Sequence, residues 1–535
     1  MTARPTPRTV VAARWLVVLL GLLALAGPGA GVAGAHATLV SSDPANDEVV
    51  ATRPASVRLT FDEPVVARDD GVRVLDPTGA VVSRGPTRGG EGGRQLTTRV
   101  ATDVPAGSYT VSYRVLSDDG HVISGSFLYH VERRTGSAPA ADATSGGTGP
   151  RLLQGLGRWI AYSAALLAGG VLAMAVWVDR AGGRWSGGIE ASRRLLLPAA
   201  AMTLFGTGLL VLGSAAELGG SGLADGPGRV GELLGSGRPG AVLGVRVAVA
   251  LVLLLAVAGR PLLRSVPWLA GICVLATLVL PSIGGHAATA GPVAVAVGAD
   301  VVHLLAAAAW VGGLGVLVLT WDGDGGRVRR FSGMALVAAP LVVLSGVVGG
   351  WLHTRSLGAV TSTDYGRLLL AKLAGALLML AIGLWARRRL VRPDAPVGGL
   401  LGGLRAEAMV GIGVLAVTAV LVATPPAVEA SLRPVSVVRQ AGDITVRMQV
   451  EPARSGPNTV HLYYLARDGS LAPVDAAELQ VATRGVEPRR VPVTPLTPSH
   501  AIATDVQLTP GRWAFRLTVV ARGVPARTTF EVPIP

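Results

Sequence analysis

Residues 292–320 read PVAVAVGADVVHLLAAAAWVGGLGVLVLT. A helix needs about 20 consecutive apolar residues to cross a bilayer, and this run exceeds that length with Asp300 and His303 as its only ionisable side chains. Ionisable groups at membrane depth are costly and usually functional. Further apolar runs predict a bundle of eight transmembrane helices in total; they lie at 155–178, 195–216, 240–258, 266–284, 332–352, 366–386 and 406–425.

The composition of the chain is that of a membrane protein. Half of its residues are hydrophobic, 15% are charged and the mean hydropathy is +0.50. The net charge of +14 would suit a nucleic-acid partner, but almost all of the positive charge is arginine, and much of it lies in short loops between apolar runs. Membrane topology produces that pattern, so we expect the lipid bilayer as a partner and no nucleic acid. The single cysteine, Cys273, excludes an intramolecular disulfide and a CxxC metal site.

The arginines between the runs predict the orientation of the bundle, because positively charged loops stay in the cytoplasm. The loops after runs one, three, five and seven are arginine-rich; they hold Arg180, Arg184, Arg193, Arg194, Arg260, Arg264, Arg327, Arg329, Arg330, Arg387, Arg388, Arg389, Arg392 and Arg405. The alternate loops hold only Arg229, Arg238, Arg355 and Arg367. We therefore expect a multi-pass protein of the cell (plasma) membrane with both flanking segments outside.

The N-terminus has the pattern of a secretory signal peptide. A basic region that contains Arg14 precedes the apolar stretch 15–26, and Ala33 and Ala35 occupy the small-residue positions of a cleavage site. Residues 1–35 are the predicted signal peptide, and cleavage would make His36 the mature N-terminus. The alternative interpretation is an uncleaved anchor helix.

The rest of the chain divides by composition into four parts. Residues 36–131 alternate in polarity between turn signals and predict a β-sandwich. Residues 132–150 are a Ser/Gly/Ala/Pro linker, residues 151–428 are the eight-span domain, and residues 429–535 predict a second β-sandwich. The fold class is therefore a multidomain membrane protein in which a helical bundle lies between two extracytoplasmic β-domains.

Three motifs of the first β-domain resemble the CopC family of copper-resistance proteins: HATLVSSDP at 36–44, LTFDEP at 59–64 and SDDGHVISG at 117–125. The resemblance implies an immunoglobulin-like β-sandwich that binds Cu(II) through His36, Asp119 and His121. It also suggests Glu63 as a second-shell partner of the metal. The domain contains no methionine, so we do not expect the additional Cu(I) site that some members of the family have.

The chemistry of these residues supports the copper interpretation. A mature N-terminal histidine offers its α-amine and its imidazole to one metal, and the α-amine releases its proton more readily than a lysine does. Asp119 and His121 are two residues apart, so on an extended strand they point to the same face. Nitrogen and oxygen ligands of this kind suit tetragonal Cu(II). The alternative is that Asp119 and Gly120 form only a turn that His121 follows.

The membrane domain resembles the CopD family through GHAA at 285–288, DVVHL at 300–304, WVGG at 310–313 and YGRLLLAK at 365–372. His303 is expected near the middle of the bilayer, and His286 and His353 at the outer ends of their spans. We interpret the three histidines as an inward path for copper, in which Asp300 orients His303 as a second-shell group. Thioethers in or beside the spans would suit Cu(I), although lipid contact or packing is the simpler role of these methionines.

The C-terminal domain resembles the YtkA-like domain in the stretch GPNTVHLYYLARDG at 456–469. It lacks the Asp-x-His pair of the first domain. Its histidines, His461 and His500, are interpreted as solvated or packing residues. We expect this domain to have an accessory role.

The leading hypothesis is copper capture outside the membrane followed by copper import through the bundle, without an enzymatic activity. Copper ions are the expected ligand, as Cu(II) in the first domain and as Cu(I) in the membrane domain. A separate reductase or copper-donor protein would be a further partner. Two alternatives stay open: a membrane-anchored copper-binding, resistance or sensing protein that does not transport, and a haem-binding electron-transfer protein that uses transmembrane histidines as axial ligands.

Overall fold

The computed structural model describes residues 37, 39–46, 48–61, 63–118, 120–135, 148–179, 188–220, 222–259, 267–288, 292–390, 400–427, 435–451, 453–466 and 472–534. The predicted signal peptide, most of the linker, His36 and Asp119 lie outside these ranges. The chain forms two compact units. The first contains Asp118–His121 and Gly146–Ala427, and the second contains His36–Ser117, Val122–Ser145 and Val428–Pro535.

Eight helices of the described residues are long and apolar enough to cross a membrane, which confirms the predicted bundle. We number them span 1 to span 8: Thr148–Asp179, Ser192–Gly219, Gly237–Ala258, Pro267–Gly284, Val293–Leu319, Gly325–Thr354, Asp364–Arg389 and Leu400–Leu421. Several extend past their apolar run into arginine-rich turns, since long basic side chains keep their charge at the interface. Span 1 begins three residues inside the predicted linker, because Pro150 is tolerated in the first turn of a helix.

Shorter elements complete the helical unit. The helices Gly226–Leu234 and Leu357–Ser362 and the 3-10 turn His286–Ala288 lie between spans. Span 5 contains a π-helical segment, Ala308–Gly312, and span 1 ends in another, Met174–Asp179. A core of small and branched residues holds the bundle together. Glycines allow helices to approach closely, since a Cβ on Gly312 would lie 1.9 Å from the carbonyl oxygen of Leu166.

The first β-domain has two sheets, which agrees with the predicted sandwich. Its strands are β1 Leu39–Asp43, β2 Val49–Val50, β3 Ser56–Phe61, β4 Val65–Val66, β5 Val72–Leu75, β6 Ser83–Gly89, β7 Gln95–Val100, β8 Gly107–Ser117 and β9 Val122–Val131. One sheet has the order β1-β3-β7-β6, and the other has the order β2-β9-β8-β4 with β5 paired to β8. Alternate residues of the strands, such as Val57, Leu59 and Phe61 on β3, form the core.

The C-terminal domain is also a two-sheet structure. Its strands are β10 Val435–Ala441, β11 Ile444–Glu451, β12 Gly456–Leu465, β13 Ala476–Thr483, β14 Val486–Val491, β15 Thr494–Thr497, β16 His500–Leu508, β17 Gly511–Ala521 and β18 Val524–Ile534. The sheet orders are β10-β11-β12-β16-β15 and β14-β13-β17-β18. Every pairing is antiparallel, and the register of β12 with β16 places Tyr463 directly opposite His500.

Candidate metal site

Two of the three predicted Cu(II) ligands, His36 and Asp119, lie outside the described residues. Of the remaining predicted residues, His121 immediately precedes β9 and Glu63 is buried, with 3% of its surface exposed. Within the described ranges, no group of three or more His, Cys, Asp or Glu side chains could hold a metal ion. The composition of the first-domain site therefore stays a prediction.

The turn Asp118–His121 belongs by its contacts to the helical unit. Asp118 forms a 2.6 Å ion pair with Arg238 at the start of span 3. Gly120, with φ of +85°, lies close to Pro239 and to the backbone of Gly284. This turn brings the ring of His121 parallel to the ring of His286, with 4.9 Å between the centroids. Two of the predicted copper-binding residues, His121 and His286, are thus in contact within the helical unit.

The aromatic contacts continue from His286 into the bundle. His286 meets His353, the penultimate residue of span 6, edge to face at a centroid distance of 6.1 Å. His353 stacks in turn on Tyr365 near the start of span 7, again at 6.1 Å. We call His121, His286, His353 and Tyr365 the ring series. It brings together His121, His286 and His353, which the sequence predicted separately, and adds Tyr365.

Backbone carbonyls orient each membrane histidine. A carbonyl oxygen only accepts hydrogen bonds, so the nitrogen that faces it carries a proton, and in a neutral imidazole the other nitrogen then carries the lone pair. Nε2 of His286 donates to the carbonyl of Val422 at 2.9 Å, and Nδ1 of His353 donates to that of Gly349 at 2.7 Å. Nδ1 of His303 donates to the carbonyl of Val342 at 3.0 Å. Histidines that bind metals are commonly oriented in this way.

A cavity of about 240 Å³ lies among spans 1 and 4 to 8. We call it the outer cavity, after the orientation that the arginine-rich loops predict. His286, His353 and Tyr365 of the ring series line one part of it, and Asp300, His303 and Lys372 line another. Gly346 leaves room for the imidazole of His303, because a Cβ there would lie 3.3 Å from its Cε1 atom. All three predicted membrane histidines therefore face one space.

Asp300 and Lys372 are the charged groups of the outer cavity. The carboxylate of Asp300 on span 5 is close enough to Lys372 of span 7 for the two side chains to interact electrostatically. The Nδ1 atom of His303 is oriented by Val342 and by Ser345, whose Oγ lies 3.1 Å away. Among the described residues, no hydrogen bond joins Asp300 to His303. The expected role of Asp300 in orienting His303 therefore stays a prediction.

A second cavity of about 240 Å³ lies among spans 5 to 8, and we call it the inner cavity. Glu407, Arg387 and Ser332 are among its polar residues. Trp310 of span 5 and Met379 of span 7 line both cavities. The sequence did not single out Trp310 and Met379 as a pair, because the cavities that both line depend on how the spans assemble.

The methionines of the spans divide into two groups. Met174, Met334 and Met379 are buried, each with 1% exposure. Met202 and Met409 are exposed on the surface of the helical unit, at 49% and 67%. Packing or lipid contact accounts for four of them, whereas Met379 also lines both cavities.

The histidines of the C-terminal domain are clustered, which the sequence did not indicate. Nδ1 of His461 lies 3.2 Å from Nε2 of His500, and both rings stack with Tyr463. Burial, reinforced by His500, lowers the pKa of His461 to about 4. Burial raises the pKa of Glu48, but hydrogen bonds from His500 and from the Ala45 amide outweigh this, so that it is lowered overall. The signal that could have found this cluster is strand pairing between β12 and β16, which is not local in sequence.

Three family models match the chain. The CopC domain matches residues 39–132, the copper resistance protein D-like N-terminal domain matches residues 150–295, and copper resistance protein D matches residues 325–421. These matches confirm the two predicted resemblances and their order in one polypeptide. The resemblance of residues 429–535 to a YtkA-like domain stays a prediction.

Curated relatives agree with this assignment. The copper transport protein CutJ of Bacillus subtilis (strain 168) is 27% identical over 482 residues, which are 85% of this chain and 86% of CutJ. Copper resistance protein C of Pseudomonas syringae pv. tomato is 31% identical over 107 residues, which are 19% of this chain and 84% of that protein. The first relative has a similar extent, and the second corresponds to the first β-domain.

Two solved structures are similar to a part of the chain. They are CopC from Methylosinus trichosporium OB3b, 30% identical with a TM-score of 0.16, and PcoC, a methionine-rich copper resistance protein from Escherichia coli, 26% identical with a TM-score of 0.16. They cover 20% and 18% of this chain and 98% and 99% of their own. The matching family models and the curated relatives show that the chain belongs to the copper-resistance proteins, with a CopC domain and CopD domains in one polypeptide.

Proposed function

We propose that this protein captures Cu(II) outside the cell membrane and passes copper inward through its helical bundle. The observation that carries the proposal is the ring series, which connects the turn of the predicted capture site to the outer cavity. His121 is a predicted Cu(II) ligand, and its ring contacts His286 at 4.9 Å. Copper that leaves His121 would therefore meet an imidazole at once.

The capture site of this proposal consists of His36, Asp119 and His121, with Glu63 as a second-shell group. It requires cleavage after Ala35, because only a free α-amine can bind the metal with the imidazole of His36. An amine, two imidazoles and a carboxylate prefer Cu(II). The site would lie outside the cell, where copper is in an oxidising environment.

Inside the bundle, His286, His353 and His303 are the proposed copper ligands. Each has one ring nitrogen on a backbone carbonyl, so the other nitrogen carries a lone pair for a metal. Asp300 and Lys372 are an acidic and a basic side chain that line the same cavity, so their charges would balance each other before copper arrives. Copper would travel here as Cu(I), and a separate reductase would supply the electron, since we assign no catalytic step to this chain.

The direction of transport follows from the proposed orientation. If the arginine-rich loops face the cytoplasm, the ring series lies at the outer ends of spans 4, 6 and 7. The capture domain then lies on the same side as the first membrane histidines. Arginines at the inner side would repel a cation that approaches from the cytoplasm, which favours import over export.

The two alternatives are less well supported by the outer cavity. At about 240 Å³, it is smaller than the roughly 300–1,000 Å³ of pockets that hold drug-sized ligands, and a haem is at least that large. A bundle that served only as an anchor would have no use for three oriented histidines around one space. The cavity therefore favours an ion as the ligand.

The proposal is tested by copper uptake into vesicles that contain the full-length protein. Replacing His286 by Asn keeps a side chain that can donate to the Val422 carbonyl but removes the imidazole. We expect uptake to fall by about tenfold or more, as for the loss of a metal-site group. The matched control is His461→Asn, which changes a histidine outside the bundle and should leave uptake unchanged. Equal uptake by His286→Asn and the unaltered protein would contradict the proposal.

A further inference from the structure

Trp310 and Met379 form the wall between the outer and inner cavities, since they are the aromatic and the thioether side chains that line both. Both are almost fully buried, with 3% and 1% exposure. All three membrane histidines lie on the outer side of this wall. Copper that reaches His303 must therefore pass these two side chains to continue inward.

Glu407 lies directly behind the wall. Its Oε1 atom accepts a hydrogen bond from Nε1 of Trp310 at 3.2 Å, and the residue is 3% exposed. The Met379 side chain packs on Gly411, where a Cβ would lie 3.2 Å from its Cε atom. Glu407 and Gly411 are four residues apart and therefore share one face of span 8. Indole, thioether and carboxylate thus converge on a single helical turn.

These three groups complement one another as partners of a monovalent soft cation. A thioether prefers Cu(I) among the copper ions, and the face of an indole attracts a cation. A carboxylate supplies the opposite charge that a cation needs away from water. Arg387, the basic residue of the inner cavity, donates to Ser332 Oγ at 2.8 Å.

We propose that Met379, Trp310 and Glu407 form an inner Cu(I)-binding site that receives the ion from the outer cavity. The inference rests on the proposed transport function and extends it to residues of the inner half of the bundle. Trp310 lies in the π-helical segment Ala308–Gly312, and such segments are frequent at functional sites. Rearrangement of this segment would open the wall between the cavities.

The sulfur of Met379 is tested by uptake of Cu(I), supplied directly as Cu(I), into vesicles that contain the full-length protein. Met379→Leu conserves volume, so the bundle should fold, but removes the sulfur. We expect about tenfold slower uptake and recovery in Met379→Cys, which restores a soft sulfur ligand. Met409→Leu is the matched control, because Met409 is 67% exposed, and it should behave as the unaltered protein. A packing role alone would give no recovery with Cys.

The carboxylate is tested in the same vesicles. Glu407→Gln keeps the acceptor for Trp310 and removes the charge, and we expect uptake to slow about tenfold. The control is Glu217→Gln, since Glu217 pairs with Arg151 and Gln154 and lines neither cavity.

Two outcomes separate this inference from the proposed function. If His303→Ala abolishes uptake while Met379→Leu and Glu407→Gln transport normally, the inner site is wrong and the outer path stands. If uptake is unaffected in all three variants, the proposed function itself is wrong. Slow uptake in all three, with recovery in Met379→Cys, supports both.

Discussion

The three membrane histidines have in common that a main-chain carbonyl fixes their protonated nitrogen. The carbonyls belong to Val422, Gly349 and Val342, which lie on or just after spans 6 and 8. That a histidine could bind copper was predictable from its residue type, but the orientation of its imidazole ring was not. A backbone acceptor leaves no trace in the sequence, because every residue carries one.

His130 illustrates a histidine with a different role. It is 3% exposed, and its Nδ1 lies 2.8 Å from Ser108 Oγ, which also contacts Thr135. Burial, with a contribution from Arg134, lowers its pKa from 6.5 to about 4. These contacts indicate a structural role for His130, the penultimate residue of β9.

The pKa of His130 predicts acid sensitivity of the first β-domain. Because the pKa of His130 is lower in the folded domain than in the unfolded chain, neutral His130 favours the folded state. Its contribution to the free energy of unfolding is complete above pH 6.5 and is lost as the pH falls from 6.5 towards 4. At pH 5 the loss should be about 2 kcal/mol in the free energy of unfolding. Urea unfolding of residues 36–135 at pH 7 and pH 5 measures it.

In that experiment His130→Asn should reduce the pH-dependent loss. The domain is a reasonable unit to isolate, since copper resistance protein C corresponds to it over 84% of its own length. The same pH dependence in His130→Asn and in the unaltered domain would assign the acid sensitivity to other groups.

Among the elements, span 5 provides several of the candidate functional side chains of the bundle. It provides Asp300 and His303 to the outer cavity and Trp310 to the wall between the cavities. Immediately after Trp310, the span contacts span 1 backbone to backbone, because a Cβ on Gly170 would lie 2.1 Å from the carbonyl carbon of Gly312. Close packing at the two glycines therefore fixes the position of the wall.

Gly312→Ala is predicted to destabilise the bundle, because its Cβ has no space against span 1. Overpacking of this kind costs about 1–3 kcal/mol, which should appear as a lower Tm in detergent. Gly333→Ala is the matched control, since nothing lies within 4 Å of its Cβ position, and alanine there favours the helix. An unchanged Tm for Gly312→Ala would mean that the two spans are not in backbone contact.

The eight spans and the two β-domains were predictable because they rest on local patterns. Hydropathy over 20 or more residues and alternation along strands need no knowledge of partners. Contacts between elements could not be predicted in this way. The approach of Tyr365 to His353 and of His461 to His500 depends on contacts between elements. The two cavities that Trp310 and Met379 line likewise depend on how the spans assemble.

At the scale of the whole molecule, the order of the CopC and CopD domains along the chain agrees with the proposed path of copper. A CopC domain precedes CopD domains in one chain, and the relative CutJ matches over 85% of this chain. In the proposed orientation, both β-domains lie outside and the arginine-rich loops inside. Capture, transfer and passage would then proceed in one direction within a single polypeptide.

That direction is the central claim, and cell copper content tests it most directly. Under copper limitation, cells that lack the protein should accumulate less copper than cells that contain it, measured as total cell copper by mass spectrometry. Cells with His303→Ala at an equal protein level should resemble the deletion, and cells with His461→Asn should resemble the unaltered strain. Higher copper in the deletion strain would contradict import and indicate export or resistance instead.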